Sequence, residues 1–140
     1  MDDVTLRHAT HDDIAGLLAF WSVAGENGSR PPDRPELVGR LLDRDAQAVL
    51  VAEAGGRIVG TVVSGWDGWR ANIYRLAVAT DRRGRGLGRL LLRQAEERLR
   101  DLGAERFCAM VLDDNASGAA LWHAAGYAPQ DDWSRWVKVA

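Results

Sequence analysis

Apolar and polar positions follow two rhythms along this chain, and the changes of rhythm mark its elements. Residues 4–9 alternate as a short opening strand. Thr10 then reads as a helix N-cap, with Asp12 and Asp13 in the first turn, where negative charge suits the helix dipole. Ile14, Leu17, Leu18 and Trp21 recur at helical spacing and predict a helix of about three turns ending near Gly25. Residues 26–35 carry Gly, Ser and three of the four prolines, which predicts a loop. Leu37, Val38, Leu41 and Leu42 then place a second short helix over residues 36–44.

From Ala48 the period shortens. Val49-Leu50-Val51-Ala52 reads as a strand, Gly55-Gly56 as a hairpin turn, and residues 58–64 as the returning strand. Trp66-Asp67-Gly68-Trp69 makes a second turn, and residues 73–79 form the third strand of the meander. An arginine–glycine turn follows, then a helix over 90–102 with Leu91, Leu92, Ala95, Leu99 and Leu102 inward and Gly103 as its cap. A strand is expected over 106–112, polar turn chemistry at Asp113-Asp114-Asn115, a short helix over 116–125, and a closing strand over 133–139. The order β-α-α-β-β-β-α-β-α-β predicts one domain over residues 1–140. Its class is α/β with a mixed sheet: an antiparallel meander followed by a β-α-β unit, with helices on both faces.

Composition narrows the function classes. The 140 residues suit a single core, with 46% hydrophobic and 27% charged residues. A net charge of −2 gives no global field for nucleic acid or an anionic membrane. The single cysteine, Cys108, excludes an internal disulfide and a cysteine-rich zinc site; it is expected in a strand as a buried, inert thiol. His8, His11 and His123 share no ligand spacing, so no metal is expected. No apolar run reaches transmembrane length and Met1-Asp2-Asp3 opens acidic, so the expected location is cytoplasmic.

Candidate chemistry centres on Arg82-Arg83-Gly84-Arg85-Gly86-Leu87-Gly88-Arg89, between a strand and a helix. Such a turn exposes backbone N–H groups at the positive end of a helix, which suits an anion and above all a pyrophosphate. Glycines allow close approach and φ > 0, and arginines add charge-assisted donors. A dinucleotide fingerprint would follow the first strand of a parallel unit, a P-loop would need Gly-Lys-Ser/Thr, and an RNA-binding arginine–glycine tract would run longer. A solvated basic turn is the plain alternative.

Arg83-x-x-Gly86-x-Gly88 resembles the (Gln/Arg)-x-x-Gly-x-(Gly/Ala) signature of the GNAT superfamily of acetyl-CoA-dependent N-acetyltransferases. Residues 115–127, running from Asn115 through Leu121-Trp122 to Gly126-Tyr127, resemble its Asn-x-x-Ala-x-x-Leu-Tyr-x-x-x-Gly-Phe segment. Gly60-Thr61-Val62 and residues 65–70 resemble a stretch of small bacterial members. The resemblance implies that the backbone of Arg83, Gly84, Arg85, Gly86, Leu87 and Gly88, with Arg89 behind, binds the pyrophosphate of coenzyme A. It implies that Leu76, Ala77 and Val78 pair with the pantetheine arm, and that an amide near Val78 polarises the thioester carbonyl. Asn115 would hold the pantetheine, cap a helix, or both.

Two departures from the family pattern bear on mechanism. Trp122 stands where a tyrosine often protonates the departing thiolate; an indole N–H donates a hydrogen bond but is no practical acid. Trp122 is expected to pack at the thioester end or in the core. The strand over 106–112 lacks the glutamate some members use as a base, which leaves Asp67, or water, ahead of Glu26 and Glu53. Asp67 is equally readable as a turn former. Trp66, Trp69 and the loop over 26–35 are expected to border an acceptor pocket, with Arg70, Arg75 and Tyr74 available to an acidic acceptor. The implied partner is an amine, either a small molecule or a peptide N-terminus; a homodimer is compatible with this. A non-catalytic acyl-CoA-binding module and a nucleic-acid binder are the readings from other classes.

Overall fold

The first change of rhythm is a helix cap in space. The Thr10 N–H donates to the Asp13 carboxylate at 2.8 Å, and a 3-10 turn over His11–Asp13 leads into α1, Ile14–Ala24. The computed structural model describes residues 3–24, 33–113 and 115–140, so Gly25, Glu26 and most of the expected 26–35 loop lie outside the described residues. Helix α2 spans Pro35–Arg44, with proline in its first turn, where no intrahelical N–H is missed.

One five-stranded sheet in the order β1-β2-β3-β4-β5 carries the fold. It runs through β1 (Thr5–His8), β2 (Val49–Ala54), β3 (Arg57–Trp66), β4 (Ala71–Val78) and β5 (Phe107–Ala109). The first four are antiparallel neighbours, and β5 joins β4 in parallel. Gly55 and Gly56 turn the β2–β3 hairpin at φ 57° and 79°, which glycine adopts without steric cost. Helix α3 is Leu87–Leu102, longer at its start than its apolar stripe alone required. Helix α4 is Ala116–Ala124.

The sheet is covered on both faces, and neighbouring residues of β3 show it. A Cβ on Gly60 would stand 2.9 Å from Leu91 and 3.3 Å from Leu87, both on α3. The next residue, Thr61, accepts a hydrogen bond from the Trp21 indole of α1 at 3.0 Å. At the far end of α3, Arg98 bonds the Ser64 carbonyl and hydroxyl of β3 and pairs with Asp45. The buried stripe of α3 comprises Leu87, Leu91, Leu92, Ala95 and Leu99; Leu102, expected inward, is 45% exposed.

Two more expectations are corrected. Residues 133–139, expected as a closing strand, form none, and Trp133, Trp136, Val137 and Val139 are exposed. A strand exists only by pairing, and β5, three residues long, pairs with β4. Cys108 of β5 is exposed rather than buried.

Arg7 ties the N-terminal elements together, with both Nη atoms on Asp13 at 2.8 and 2.9 Å and Nη2 on Glu53 of β2 at 2.8 Å. The Arg7 guanidinium and the Thr10 N–H hold the Asp13 carboxyl below its ordinary range. A depressed folded-state pKa contributes stability that is complete above the unfolded value of about 3.9 and is lost as pH falls through the folded value. Asp13→Asn is therefore expected to lower stability at pH 7 by about 1 kcal/mol, an exposed arginine face limiting the gain. The cost should shrink toward pH 3; urea melts at the two pH values check it.

Candidate active site

The strand β4, the turn after it and the start of α3 meet at one place. Beyond a 3-10 turn at Thr80–Arg82, Gly84 and Gly86 take φ 78° and 83°, with nothing within 4 Å of where a Cβ would stand. Gly86 is the N-cap of α3, and the first helical bond runs from the Leu90 N–H to the Gly86 carbonyl at 3.0 Å. The amides ahead of Leu90 lack that bond, so Leu87, Gly88 and Arg89 begin the helix with donors at its positive end. Gly88 is small for a different reason: a Cβ there would stand 3.1 Å from Leu121 of α4 and 3.6 Å from Val78 of β4. The turn thus offers an open glycine cradle in front of a helix terminus, which fits a diphosphate.

The arginines divide their work. Arg83 donates from Nε to the Val78 carbonyl at 3.1 Å, so its side chain braces β4 against the turn. Arg82 pairs with Asp3 at 2.8 Å, while Arg85 and Arg89 are exposed beside the turn.

Strand β4 is half-paired on its β5 side. Its register with β5 covers Ala71, Asn72 and Ile73, opposite Phe107, Cys108 and Ala109. Leu76, Ala77 and Val78 lie beyond that, where β4 keeps β3 as its neighbour among the described residues. The Ala79 N–H bonds the Val59 carbonyl at 2.8 Å, and peptide groups of a strand alternate sides. The Val78 amide and carbonyl therefore point to the unpaired edge, where Arg83 meets the carbonyl.

A bulge precedes this edge. Thr61 pairs with Ala77 and Val63 with Tyr74, so β4 spends three steps against two on β3. Within it Arg75 has φ 52°, the one positive φ among the described residues other than glycine. Thr61, fully buried, donates from its hydroxyl to the Arg75 carbonyl at 2.8 Å while accepting from Trp21. The Arg75 guanidinium lies 5.2 Å from the Trp21 ring centroid and pairs with Asp33. A left-handed conformation costs a non-glycine residue about 1–2 kcal/mol. A net hydrogen bond contributes about 1 kcal/mol, and an orphaned buried donor costs about 1–3. The clasp is of the size of the strain it holds. Sequence reading missed Trp21 and Thr61 as partners, although a threonine within a run of valines and glycines asks where its hydroxyl bonds.

The other expected residues spread out. Asn115 caps α4, accepting the Gly118 N–H at 3.0 Å. Trp122 is buried, edge-on to Tyr127 at 4.8 Å between centroids, and the Tyr127 hydroxyl donates to Glu96 at 2.6 Å. Burial and that carboxylate keep the Tyr127 phenol well above its ordinary range. Asp67 accepts the N–H groups of Trp69 at 2.8 Å and Arg70 at 2.6 Å. These two bonds hold its carboxyl below the usual range, which makes it a weaker base. The exposed Trp69 ring carries the Arg70 guanidinium 3.7 Å from its centroid. Tyr74 is 48% exposed, its phenol raised by partial burial. Trp66 lies against Gly103 at the C-terminal end of α3, a helix length of about 24 Å from the glycine turn. Glu53 is engaged by Arg7. Among the described residues no group of three or more His, Cys, Asp and Glu could hold a metal, and no helix is long and apolar enough to cross a membrane.

Residues 14–127 match the profile of the acetyltransferase (GNAT) family. An acetyltransferase of Sodalis glossinidius is 33% identical over 127 residues, 90% of this chain and 88% of its own. One from Yersinia enterocolitica is 38% identical, with 90% and 89% covered. Among solved structures, a ribosomal-protein-alanine N-acetyltransferase from Brucella melitensis is 30% identical, with a TM-score of 0.71 over 87% of this chain and 83% of its own. A Salmonella typhimurium protein solved with its cofactor acetyl-CoA shares the fold at 22% identity, with a TM-score of 0.74 over 90% of this chain and 80% of its own.

Proposed function

The chain belongs to the GNAT family of acetyltransferases, and on that premise we propose that it transfers the acetyl group of acetyl-CoA to an amine nitrogen by direct attack. The observation that carries the reading is the continuous backbone surface from the unpaired edge of Leu76–Val78 through the glycine turn to the first amides of α3. The glycine cradle receives the pyrophosphate. The β4 edge pairs with the pantetheine arm as an added strand, and an amide there polarises the thioester carbonyl. Acetyl-CoA supplies a thioester: the amine nitrogen bonds its carbonyl carbon, the C–S bond breaks, and sulfur leaves with the electron pair.

Proton transfer comes into question at two atoms, the departing sulfur and the amine nitrogen. The buried indole of Trp122 is not an acid, and the Tyr127 hydroxyl is committed to Glu96. The thiolate therefore departs unprotonated, at modest cost, because a thiol of pKa near 8.5 is a good leaving group. The amine proton leaves through water, since Asp67 is occupied by two backbone N–H groups. Asp67→Asn, which keeps an acceptor for the turn, is expected to change kcat/KM by no more than about threefold, below the 10²–10⁴ typical of general-base loss. A larger fall together with loss of the acidic limb of the pH profile would instead make Asp67 the base.

The acceptor is a small amine or a peptide N-terminus; the peptide option is favoured by the likeness to the Brucella protein, which carries that activity in its name. Acetyl-CoA should raise the melting temperature and release thiol with at least one member of a panel of amines and peptides. Stabilisation without turnover across the panel would turn the reading to a non-catalytic acyl-CoA-binding module, and neither effect would sink both.

A further inference from the structure

We propose that Thr61, backed by Trp21, is a positioning residue for acetyl transfer: it clasps the Arg75 peptide in its left-handed turn and so aims the β4 edge at the thioester carbonyl. The proposal rests on the reading that acetyl-CoA lies along that edge. Thr61 and Trp21 are both buried, on β3 and α1, and their side chains form a chain of two bonds, indole N–H to threonine oxygen at 3.0 Å and threonine O–H to the Arg75 carbonyl at 2.8 Å.

The geometry explains why an unusual backbone sits at this point. Strand β4 pairs regularly with β3 at Ile73 and Tyr74 and again at Ala77 and Val78, with the extra residue between. That extra residue shifts the register of peptide groups; the Ala79–Val59 bond turns the Val78 amide to the open edge, and the Arg75 contact holds the start of the same run, at Leu76, in place. Without a partner for the Arg75 carbonyl, the left-handed strain would favour a different φ within the bulge. Here the Arg75 carbonyl is bound from the α1 side by a hydroxyl that is itself held by an indole. The clasp works from the face of the sheet opposite α3, so it can change the edge without touching the glycine cradle. Because Arg75 is not glycine, the clasp is needed to keep φ at 52°.

The test separates carbonyl polarisation from cofactor binding. Wild type, Thr61→Val, Thr61→Ser and Trp21→Phe are each titrated with the phosphoadenosine diphosphate fragment of coenzyme A, which lacks the pantetheine arm, and then with acetyl-CoA labelled with ¹³C at the acetyl carbonyl. Affinity for the fragment reports the cradle, and the bound carbonyl chemical shift reports the hydrogen bond from the edge. Thr61→Val is expected to keep affinity for the fragment within about twofold, to move the carbonyl resonance back toward its free position, and to slow thiol release about tenfold or more, in the range seen when a carbonyl-directed donor is misplaced. Thr61→Ser, which restores the hydroxyl, should recover most of both losses. Trp21→Phe removes the indole N–H together with part of the ring that packs there, keeps the Thr61 hydroxyl, and should move both readouts the same way by less. A wild-type carbonyl shift and thiol release in Thr61→Val overturns the proposal. Should that variant not fold, wild-type values in Trp21→Phe overturn it equally. If wild type itself binds neither the fragment nor acetyl-CoA, the functional reading fails and not the clasp.

Discussion

Gly86→Val is expected to raise the KM for acetyl-CoA by about 100-fold or more while the chain stays folded. Gly86 sits at φ 83° as the N-cap of α3, and no atom lies within 4 Å of its absent Cβ. The protein itself therefore has room for a side chain, and the folding cost is the left-handed strain of a β-branched residue, about 2 kcal/mol. That cost is survivable for a domain whose core includes Leu91, Leu99, Val49, Val51 and Val59, all fully buried. The room is the space in which the α3 amides would meet the pyrophosphate, and a valine fills it. Melting with and without coenzyme A checks both halves: a small loss in the free protein and no stabilisation by ligand. Ligand stabilisation equal to wild type would remove the glycine turn from the binding site.

Gly60→Val is expected to act from the other side of the same helix. Its Cβ would stand 2.9 Å from Leu91 and 3.3 Å from Leu87, whose side chains are themselves buried against the sheet. Overpacking of this kind costs about 2–3 kcal/mol, enough to lower the melting temperature by on the order of 10 °C. Leu87 is the first residue of α3, so a helix lifted at this point carries its N-terminal amides away from β4. The variant should lose coenzyme A affinity as well as stability, although Gly60 lies beneath the helix and not in the turn. Thermal melts and a coenzyme A titration below the melting range measure the two separately. An affinity equal to wild type would show that α3 holds its place despite the repacking.

Much of the candidate site was legible because it is made of local backbone. A glycine turn between a strand and a helix follows from sequence order, and Gly84, Gly86 and Gly103 all take the positive φ that glycine permits. Asn115 was readable as a cap for the same reason, since the bond to Gly118 closes within one helical turn. The roles of Trp66 and Asp67 were less legible. Both stand beside the β3–β4 hairpin turn, but the ring of the first packs on the end of α3 and the carboxylate of the second is consumed by its own turn. Arg83 shows the same limit: its charge pointed to phosphate, and its Nε holds the Val78 carbonyl.

The sequence by itself determined the alternation of strands and helices, the caps that start and stop them, the glycine cradle and the family to which these belong. Those features depend on residues close along the chain, where steric and hydrogen-bonding preferences act whatever the rest of the molecule does. The tertiary structure alone decided that β5 reaches only Ile73 of β4, that residues 133–139 form no strand, and that Thr61 closes on the Arg75 carbonyl under the Trp21 indole. Each of these is a pairing between distant segments. A backbone edge, an extra residue in a ladder or a buried hydroxyl acquires its meaning from the partner that packing brings to it, and no local preference names that partner.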